Sequence, residues 1–248
     1  MRTVLDRLYQ SGASKLLLPR TGGTELTGVI LNTAGGVTGG DRFDIAATAG
    51  PDCKLTLTTQ AAERIYRAQP GEIGKVSTCL TADDGATINW LPQETILFDN
   101  SALRRRLSVD LTGNATFLMV EPVIFGRKAM GEDIRAGRFT DTVDIRRDGK
   151  LCFADATRLS GDISQHLDHP AIANGARAMA SVLFAAENAE GYLTPLLGLM
   201  PAHGGVSLVR PGILFCRLLA ADSYVLRQFL IPVIQTLTGA PLPRTWTL

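Results

Sequence analysis

Apolar and polar residues alternate, or apolar residues form short runs, along most of the chain up to residue 170. A period of two is typical of β-strands, because successive side chains of a strand point to opposite faces of the sheet. The pattern therefore predicts a front part built mainly from short strands. These predicted strands cover residues 15–18, 26–31, 53–59, 75–81, 87–91, 107–111 and 115–120.

Turn residues separate the predicted strands. The chain has 25 glycines and 12 prolines, and many of them form the dipeptides at which chains reverse direction. Asp148-Gly149 is the strongest of these signals, because alternating segments at 142–146 and 150–154 flank it. We therefore predict a β-hairpin at this dipeptide.

Two segments have helical spacing instead. The first is predicted over residues 170–187 and the second from Asp222 onward, where the aspartate can cap the first turn. Pro232 is expected to kink the second helix, and a short β return is predicted at 205–219. The apolar stripes consist of Ile172, Ala176, Met179 and Leu183 in the first helix, and of Leu226, Phe229, Leu230, Val233, Ile234 and Leu237 in the second.

No linker, low-complexity tract or internal repeat divides the chain. A chain of 248 residues can bury a sizeable core without disulfides or metals. We predict one mainly β domain over residues 1–248, with about two α-helices.

Charge and composition argue against several classes of function. Lys and Arg total 25 against 24 Asp and Glu, so the net charge is +1 and no broad positive field favours nucleic acid or an anionic membrane. The run Arg104-Arg105-Arg106 is interpreted as a solvated face rather than a phosphate contact. Neither a signal peptide nor an apolar run of about 18 residues is evident. We expect a cytoplasmic protein with no nucleic-acid and no membrane partner.

The four cysteines lie far apart along the chain, and no two of them form a Cys-x-x-Cys pair. Each falls in a segment with strand character. We therefore expect buried free thiols rather than disulfides or a metal site. The cysteines are Cys53, Cys79, Cys152 and Cys216.

The segment 32–41 is the most unusual, because Gly35, Gly36, Gly39 and Gly40 fall within six positions. Consecutive free amides can bind a phosphate, so an enzyme or binding protein for an anionic ligand is one reading. However, no GxxxxGK[ST] lysine follows, and the next segment resembles a strand rather than a helix. A tight turn with positive φ angles and close backbone packing is the favoured interpretation.

Local signals for catalysis or metal binding are weak. The chain lacks a Gly-x-Ser-x-Gly nucleophile elbow. His166, Asp168 and His169 could converge on a metal, but no partner at a fixed spacing accompanies them. We interpret this segment as the entry to the helix at 170–187.

Five carboxylates lie in otherwise apolar or small-residue stretches: Asp41, Glu63, Glu94, Glu121 and Glu132. A lone buried charge is expensive, so each must be paired, hydrated or exposed. Neighbouring arginines can pair with Glu63 and Glu132. The alternative is a hydrated interior path whose carboxylate oxygens hold a divalent cation transiently. We call this path the carboxylate lane.

Several motifs, in this order and spacing, resemble the urease accessory protein UreD family, whose members are called UreH in some organisms. The resemblance extends from about residue 12 to residue 246. The motifs are NTAGGVTGGD at 32–41, TTQAAERIYR at 58–67, WLPQETILF at 90–98, FGRKAMGE at 125–132, LSGD at 159–162 and LPRTW at 242–246.

The resemblance implies a β-helix-like fold of stacked sheets with few helices. It further implies a scaffold and nickel conduit without catalytic turnover or a tightly bound cofactor. Such a factor joins UreF and the GTPase UreG on apo-urease and helps to assemble the dinuclear nickel site of urease. Asp41, Glu63, Glu121 and Glu132 are then candidates for transient Ni²⁺ contact. Family members commonly have a further N-terminal stretch, so an unpaired sheet edge is also expected. No family role extends to His166 or His169.

Overall fold

The computed structural model describes residues 2–247 and is dominated by β-strands. The strands are β1 Ser14–Leu17, β2 Leu26–Asn32, β3 Arg42–Ala49, β4 Lys54–Thr59, β5 Glu63–Ile65, β6 Gly74–Ala82, β7 Thr87–Leu91, β8 Thr95–Leu97, β9 Ala102–Leu111, β10 Thr116–Phe125, β11 Gly137–Arg147, β12 Lys150–Gly161, β13 Ala178–Ala185, β14 Gly204–Arg210 and β15 Ile213–Ala220. The α-helices are α1 Ile163–Asp168, α2 Leu193–Leu197 and α3 Ser223–Thr238, and 3-10 turns lie at Lys128–Met130, Ala189–Tyr192 and Arg244–Trp246.

Successive coils of the chain stack to form a β-solenoid. The ten-stranded sheet contains the parallel series β2, β4, β7 and β10, and the five-stranded sheet contains the parallel series β3, β6, β9 and β11. Each coil thus contributes one strand to each sheet. This arrangement confirms the mainly β, β-helix-like fold, and the strand alternation places one apolar face of each sheet in the core between them.

A short third ladder closes each coil between the two sheets. Val37 pairs with Ile65, Ile65 with Leu97, and Leu97 with Phe125, all in parallel. The four side chains are buried one above another in a single apolar cluster. This ladder fixes the position at which each coil turns from the ten-stranded sheet toward the five-stranded sheet.

The C-terminal part of the chain covers the ten-stranded sheet. β13 pairs antiparallel with β10 and β15, β14 pairs with β15, and α3 packs against β13 and β15. Asp222 begins α3 as predicted, because its Oδ1 accepts a hydrogen bond from the Val225 N–H at 2.9 Å. Pro232 lies inside this helix. Among residues 2–247, no helix is long and apolar enough to cross a membrane.

The predicted hairpin at Asp148-Gly149 is confirmed. These two residues connect β11 and β12 and have φ angles of 50° and 74°. Positive φ at both central positions is the geometry of a two-residue turn whose twist matches the flanking strands. The hairpin closes the outer edge of the five-stranded sheet.

The predicted helix over residues 170–187 is wrong. Residues 178–185 form β13, and all eight of its residues are buried. β13 lies between β10 and β15, with the solenoid core on one face and α3 on the other, so both faces are apolar. A continuous apolar run of this kind cannot be distinguished from a buried helix by periodicity.

The cysteines are free, but they are not all buried. Cys216 is buried, and burial raises the pKa of its thiol to about 12. Cys53 and Cys152 are half-buried, whereas Cys79 is exposed. The expectation of buried thiols is therefore wrong for Cys79, which occupies an outward position of β6 because neighbouring positions in a strand alternate between faces.

Candidate functional site

The glycine-rich segment after β2 is a compact turn that leads into the third ladder. Gly35 and Gly40 have φ angles of 80° and 84°. A Cβ atom on Gly36 would lie 2.3 Å from Tyr66 Cε2 and 2.6 Å from the Arg64 carbonyl oxygen. A side chain therefore does not fit at Gly36, as a tight turn with close backbone packing requires.

Hydrogen bonds within the protein use several of the amides that an anion would need. The Ala34 N–H donates to Asn32 Oδ1 at 3.0 Å, and the Val37 N–H donates to the Arg64 carbonyl at 2.8 Å. The Thr38 N–H donates to a carboxylate oxygen of Asp41 at 2.9 Å. A carboxylate already occupies this part of the turn, which argues against an anion-binding cradle.

Gly36→Ala is expected to lower the free energy of unfolding by about 1–3 kcal/mol, because the added methyl group overpacks a site bounded by main chain. Chemical denaturation measures this loss. Gly50→Ala is the control, since a Cβ there meets nothing within 4 Å, and its effect should stay near zero. Equal stability of the two variants would contradict the proposed role of Gly36.

A cavity of about 70 Å³ lies between the two sheets, close to this turn. By the same measure a water molecule needs about 10–15 Å³, so the cavity is large enough to be hydrated. Its polar lining includes Asn32, Glu63, Thr95, Arg105 and Glu121. Gln93 also lines it, and its Nε2 is buried without a hydrogen-bond partner among the described residues.

Arg105 lies at the centre of a buried ionic network on one wall of the cavity. Its Nε and Nη2 donate to Asp141 at 3.0 and 2.7 Å, and its Nη1 donates to Thr95 Oγ1 at 3.0 Å. Nη1 also contacts Glu121 Oε2, while Trp90 Nε1 donates to Glu121 Oε1 at 2.6 Å. β9, β11 and β10 thus hold a guanidinium between two carboxylates.

The charges in this network shift the pKa values in opposing ways. Burial alone would lower the pKa of Arg105, but the charges of Asp141 and Glu121 outweigh it and raise that pKa. Burial raises the pKa of Glu121, against the lowering effect of Arg105. Arg105 is therefore a fixed cation, and Glu121 is a carboxyl group that retains its proton more readily than an exposed glutamate.

Glu63 lies on the cavity wall without an arginine partner among the ion pairs of the described residues. The Asn32 amide donates to its Oε1 at 3.1 Å. Burial raises the pKa of Glu63, and this hydrogen bond only partly offsets the effect. The predicted pairing of Glu63 with neighbouring arginines is thus not observed.

The other two candidate carboxylates lie outside the cavity lining. Asp41 caps the glycine-rich turn through Thr38. Glu132 forms a two-bond ion pair with Arg127, at 2.7 and 2.9 Å, as its neighbourhood in the sequence predicted. The fold therefore brings Glu63 and Glu121 to one cavity, and it brings neither Asp41 nor Glu132 there.

The histidine segment ends a helix instead of preceding one. His166 lies within α1, and His169 is the residue that follows it and accepts a hydrogen bond from the Ala171 N–H at 3.2 Å. Asp168 pairs with Arg177 at 2.7 Å. Within residues 2–247, no group of three or more His, Cys, Asp or Glu side chains is placed to hold a metal ion.

The raised pKa of Glu63 gives a pH-dependent prediction. A folded-state pKa above the unfolded value means that ionisation is costlier in the folded protein, so stability is lost as pH rises through the folded pKa. Glu63→Gln should therefore unfold at a higher temperature than wild type at pH 8. Thermal unfolding between pH 8 and 5 should show this advantage shrinking as the pH falls.

Glu132→Gln is the control, because its effect on stability at pH 8 should have the opposite sign. Its hydrogen bonds from Arg127 lower the pKa of Glu132, so the carboxylate stabilises the fold above its unfolded pKa and that stability is lost at low pH. This variant should be the less stable protein at pH 8. The account of the cavity fails if the stability of both variants, relative to wild type, changes in the same direction as the pH falls.

The sequence interpretation missed the inward arginine of the run at 104–106. Arg104 and Arg106 are exposed as expected, but Arg105 is 8% exposed. The signal was present, because Arg105 shares its strand phase with Leu103 and Leu107, which are buried. Extending the predicted strand at 107–111 backward would have placed this arginine in the core.

The fold and the cavity together define a class: a β-solenoid with a small cavity between its sheets, lined by Glu63, Glu121 and the buried Arg105. The profile of the UreD urease accessory protein family matches residues 1–247 of the sequence. The chain belongs to this family.

Relatives from several bacteria support this assignment. The urease accessory protein UreD of Roseobacter denitrificans is 53% identical over 244 residues, which cover 98% of this chain and 89% of the relative. The UreD of Ruegeria pomeroyi is 52% identical over 99% of this chain and 96% of its own length. The UreD of Rhizobium rhizogenes is 47% identical, over 100% of this chain and 90% of its own.

Proposed function

We propose that this chain is a non-enzymatic factor in urease maturation, which joins UreF and UreG on apo-urease in the cytoplasm and conducts nickel. The proposal that the chain conducts nickel rests on one observation: Glu63 and Glu121 line the same cavity between the two sheets. The matches to urease accessory proteins support the maturation role.

The chemistry of the cavity suits transit better than storage. Carboxylate oxygens bind first-row divalent cations, but sites with imidazole or thiolate ligands hold nickel more strongly. Two carboxylates and water therefore give a weak site from which an ion can leave. Metal binding to a protonated carboxyl group releases its proton, so the raised pKa values of Glu63 and Glu121 couple nickel entry to proton loss.

The fixed charge of Arg105 limits how long a cation stays. Its guanidinium contacts Glu121 and is held by Asp141, so an incoming divalent ion must share the Glu121 carboxylate with a positive group. Repulsion between the two cations weakens binding at short range. Of the four candidate carboxylates, we therefore assign only Glu63 and Glu121 to the carboxylate lane. Arg105 weakens the binding of the cation there.

Co-expression of the tagged chain with the urease operon tests the proposal. Capture of the chain should recover apo-urease together with UreF and UreG, and urease from these cells should contain nickel. Deletion of the chain should remove nickel from the urease while its subunits still accumulate. Nickel-loaded urease in the deletion strain, or capture of none of the partners, would contradict the proposed function.

A further inference from the structure

The outward face of the five-stranded sheet carries a line of basic side chains. The strand register aligns Arg42 with Lys75, Lys75 with Arg104, Arg104 with Thr140, and Thr140 with Arg158. We call Arg42, Lys75, Arg104 and Arg158 the basic row. Five neighbouring strands at about 4.8 Å spacing make the row about 19 Å long.

The positive charge of this face is largely unbalanced. Asp44 pairs with Arg42 at 2.8 Å, and Asp144 pairs with Arg106 at 2.8 Å. No ion pair within residues 2–247 involves the basic side chains that remain. They include Lys75, Arg104, Arg138, Arg146 and Arg158, all of which are exposed, and the strand register places the exposed Asp110 opposite Arg146.

The alignment of positive side chains in the basic row lowers the stability of the isolated chain. Like charges directly opposite each other on neighbouring strands are destabilising, and Lys75 and Arg104 stand in this relation. The net charge of the chain is only +1, so the rest of the molecule carries the balancing negative charge. The basic row is a local concentration of charge and not part of a uniformly basic surface.

The long helix α3 does not cover this face in the described part of the chain. α3 packs against β13, β15 and β10 of the other sheet. Around the basic row the outward positions are small or polar, with Ser77, Cys79, Ser108, Thr142 and Ala156 among them. Such a surface contains cations without partners, which suits contact with a complementary acidic protein surface.

We propose that the basic row is the docking surface for an acidic surface of apo-urease. This inference rests on the proposed function, because it assigns one contact of that assembly to named residues. The low net charge disfavours nucleic acid and anionic membranes, which attract proteins through broad positive fields. A partner with carboxylates spaced along a line of similar length matches the row in charge and dimension.

Charge reversal in the operon-expressing cells tests this assignment. The triple variant Lys75→Glu, Arg104→Glu, Arg158→Glu should capture at least about tenfold less apo-urease than the wild-type chain at low salt, because like-charge contacts penalise the complex. Capture by the wild-type chain should itself fall as salt rises, since screening weakens exposed charge pairs. Thermal unfolding of the purified variant checks that it folds.

The matched control is the triple variant Arg7→Glu, Arg20→Glu, Lys54→Glu, which changes the charge equally at exposed positions away from the row. It should capture apo-urease as the wild type does. Equal capture by the basic-row variant overturns the inference and leaves the proposed function standing, whereas a wild-type chain that captures no apo-urease overturns both. Loss of DNA or anionic-vesicle binding alone, with capture unchanged, would assign the row to another class of partner and contradict the inference.

Discussion

Replacing Arg105 with methionine should lower the free energy of unfolding by about 3–5 kcal/mol, because it leaves two carboxylates buried without their cation. Glu121 and Asp141 both lose an ionic partner, and their side chains are only 5% and 13% exposed. Methionine retains much of the apolar stem, so the change reports mainly on charge. Urea denaturation at pH 7.5 measures the loss.

The control for this result is the neighbouring residue of the same strand. Arg104 is exposed and has no ion pair within the described part of the chain, so Arg104→Met should alter the free energy of unfolding by about 0.5 kcal/mol or less. The loss caused by Arg105→Met should also shrink at low pH, where Glu121 is protonated. Equal effects of the two substitutions would contradict the buried network.

Trp246→Ala should destabilise the protein by about 3–5 kcal/mol, because it empties a large buried site. Trp246 is 1% exposed, and its Nε1 donates to the Leu91 carbonyl at 3.0 Å. Arg227 lies 5.0 Å from the ring centroid and donates to the Trp246 carbonyl at 2.7 Å. The indole thus fastens the C-terminal residues and α3 to the end of β7. Equilibrium unfolding gives the magnitude.

Tyr224 provides the comparison for this aromatic residue. It lies in the first turn of α3 and is 72% exposed, so Tyr224→Ala should cost about 0.5 kcal/mol or less. A truncated chain lacking residues 240–248 should resemble Trp246→Ala, since both lose the same anchor. A small effect of Trp246→Ala would mean that the C-terminal residues contribute little to the fold.

Most of the solenoid could be predicted because its strands follow local rules. The alternation of apolar and polar residues gave the strand positions, and Asp148-Gly149 gave one turn correctly. The long helix that begins after Asp222 also followed from its cap and spacing. What could not be predicted is which strands pair, because the parallel ladders join residues that lie about 30 positions apart and leave no local signature.

Tertiary burial explains the main error in the fold. Residues 178–185 are apolar on both faces because β13 lies between the core and α3, and this removes the alternation that identifies strands. The stripe of Ile172, Ala176, Met179 and Leu183 matched a helix by spacing alone. Ile172 is in fact 43% exposed, so the stripe does not form one buried face.

The candidate site was predicted in part. Embedded carboxylates suggested Glu63 and Glu121, and the coils bring both to one cavity. The same reasoning applied equally to Asp41 and Glu132, because burial depends on the packing of distant coils. The strand phase could have shown that Arg105 is buried, but its pairing with Asp141 could not be predicted, because only the register of β9 and β11 places the two side by side.

The buried charges and the stability of the chain are linked. Burial raises the pKa of Glu63, and Glu63 forms no ion pair within the described residues, so its ionised form costs stability at neutral pH. A half-buried carboxylate with a perturbed pKa is often a functional group. The predicted gain in stability of Glu63→Gln would accordingly accompany a loss of nickel delivery.

The nickel content of urease tests the carboxylate lane most directly. Urease would be purified from cells in which the gene for this chain is deleted and replaced by the double variant Glu63→Gln, Glu121→Gln, or by the charge-matched double variant Asp41→Asn, Glu132→Gln. The account predicts that the first variant still captures apo-urease but leaves it with severalfold less nickel, while the second restores the wild-type content. Wild-type nickel content with the first variant would contradict passage of nickel between the sheets.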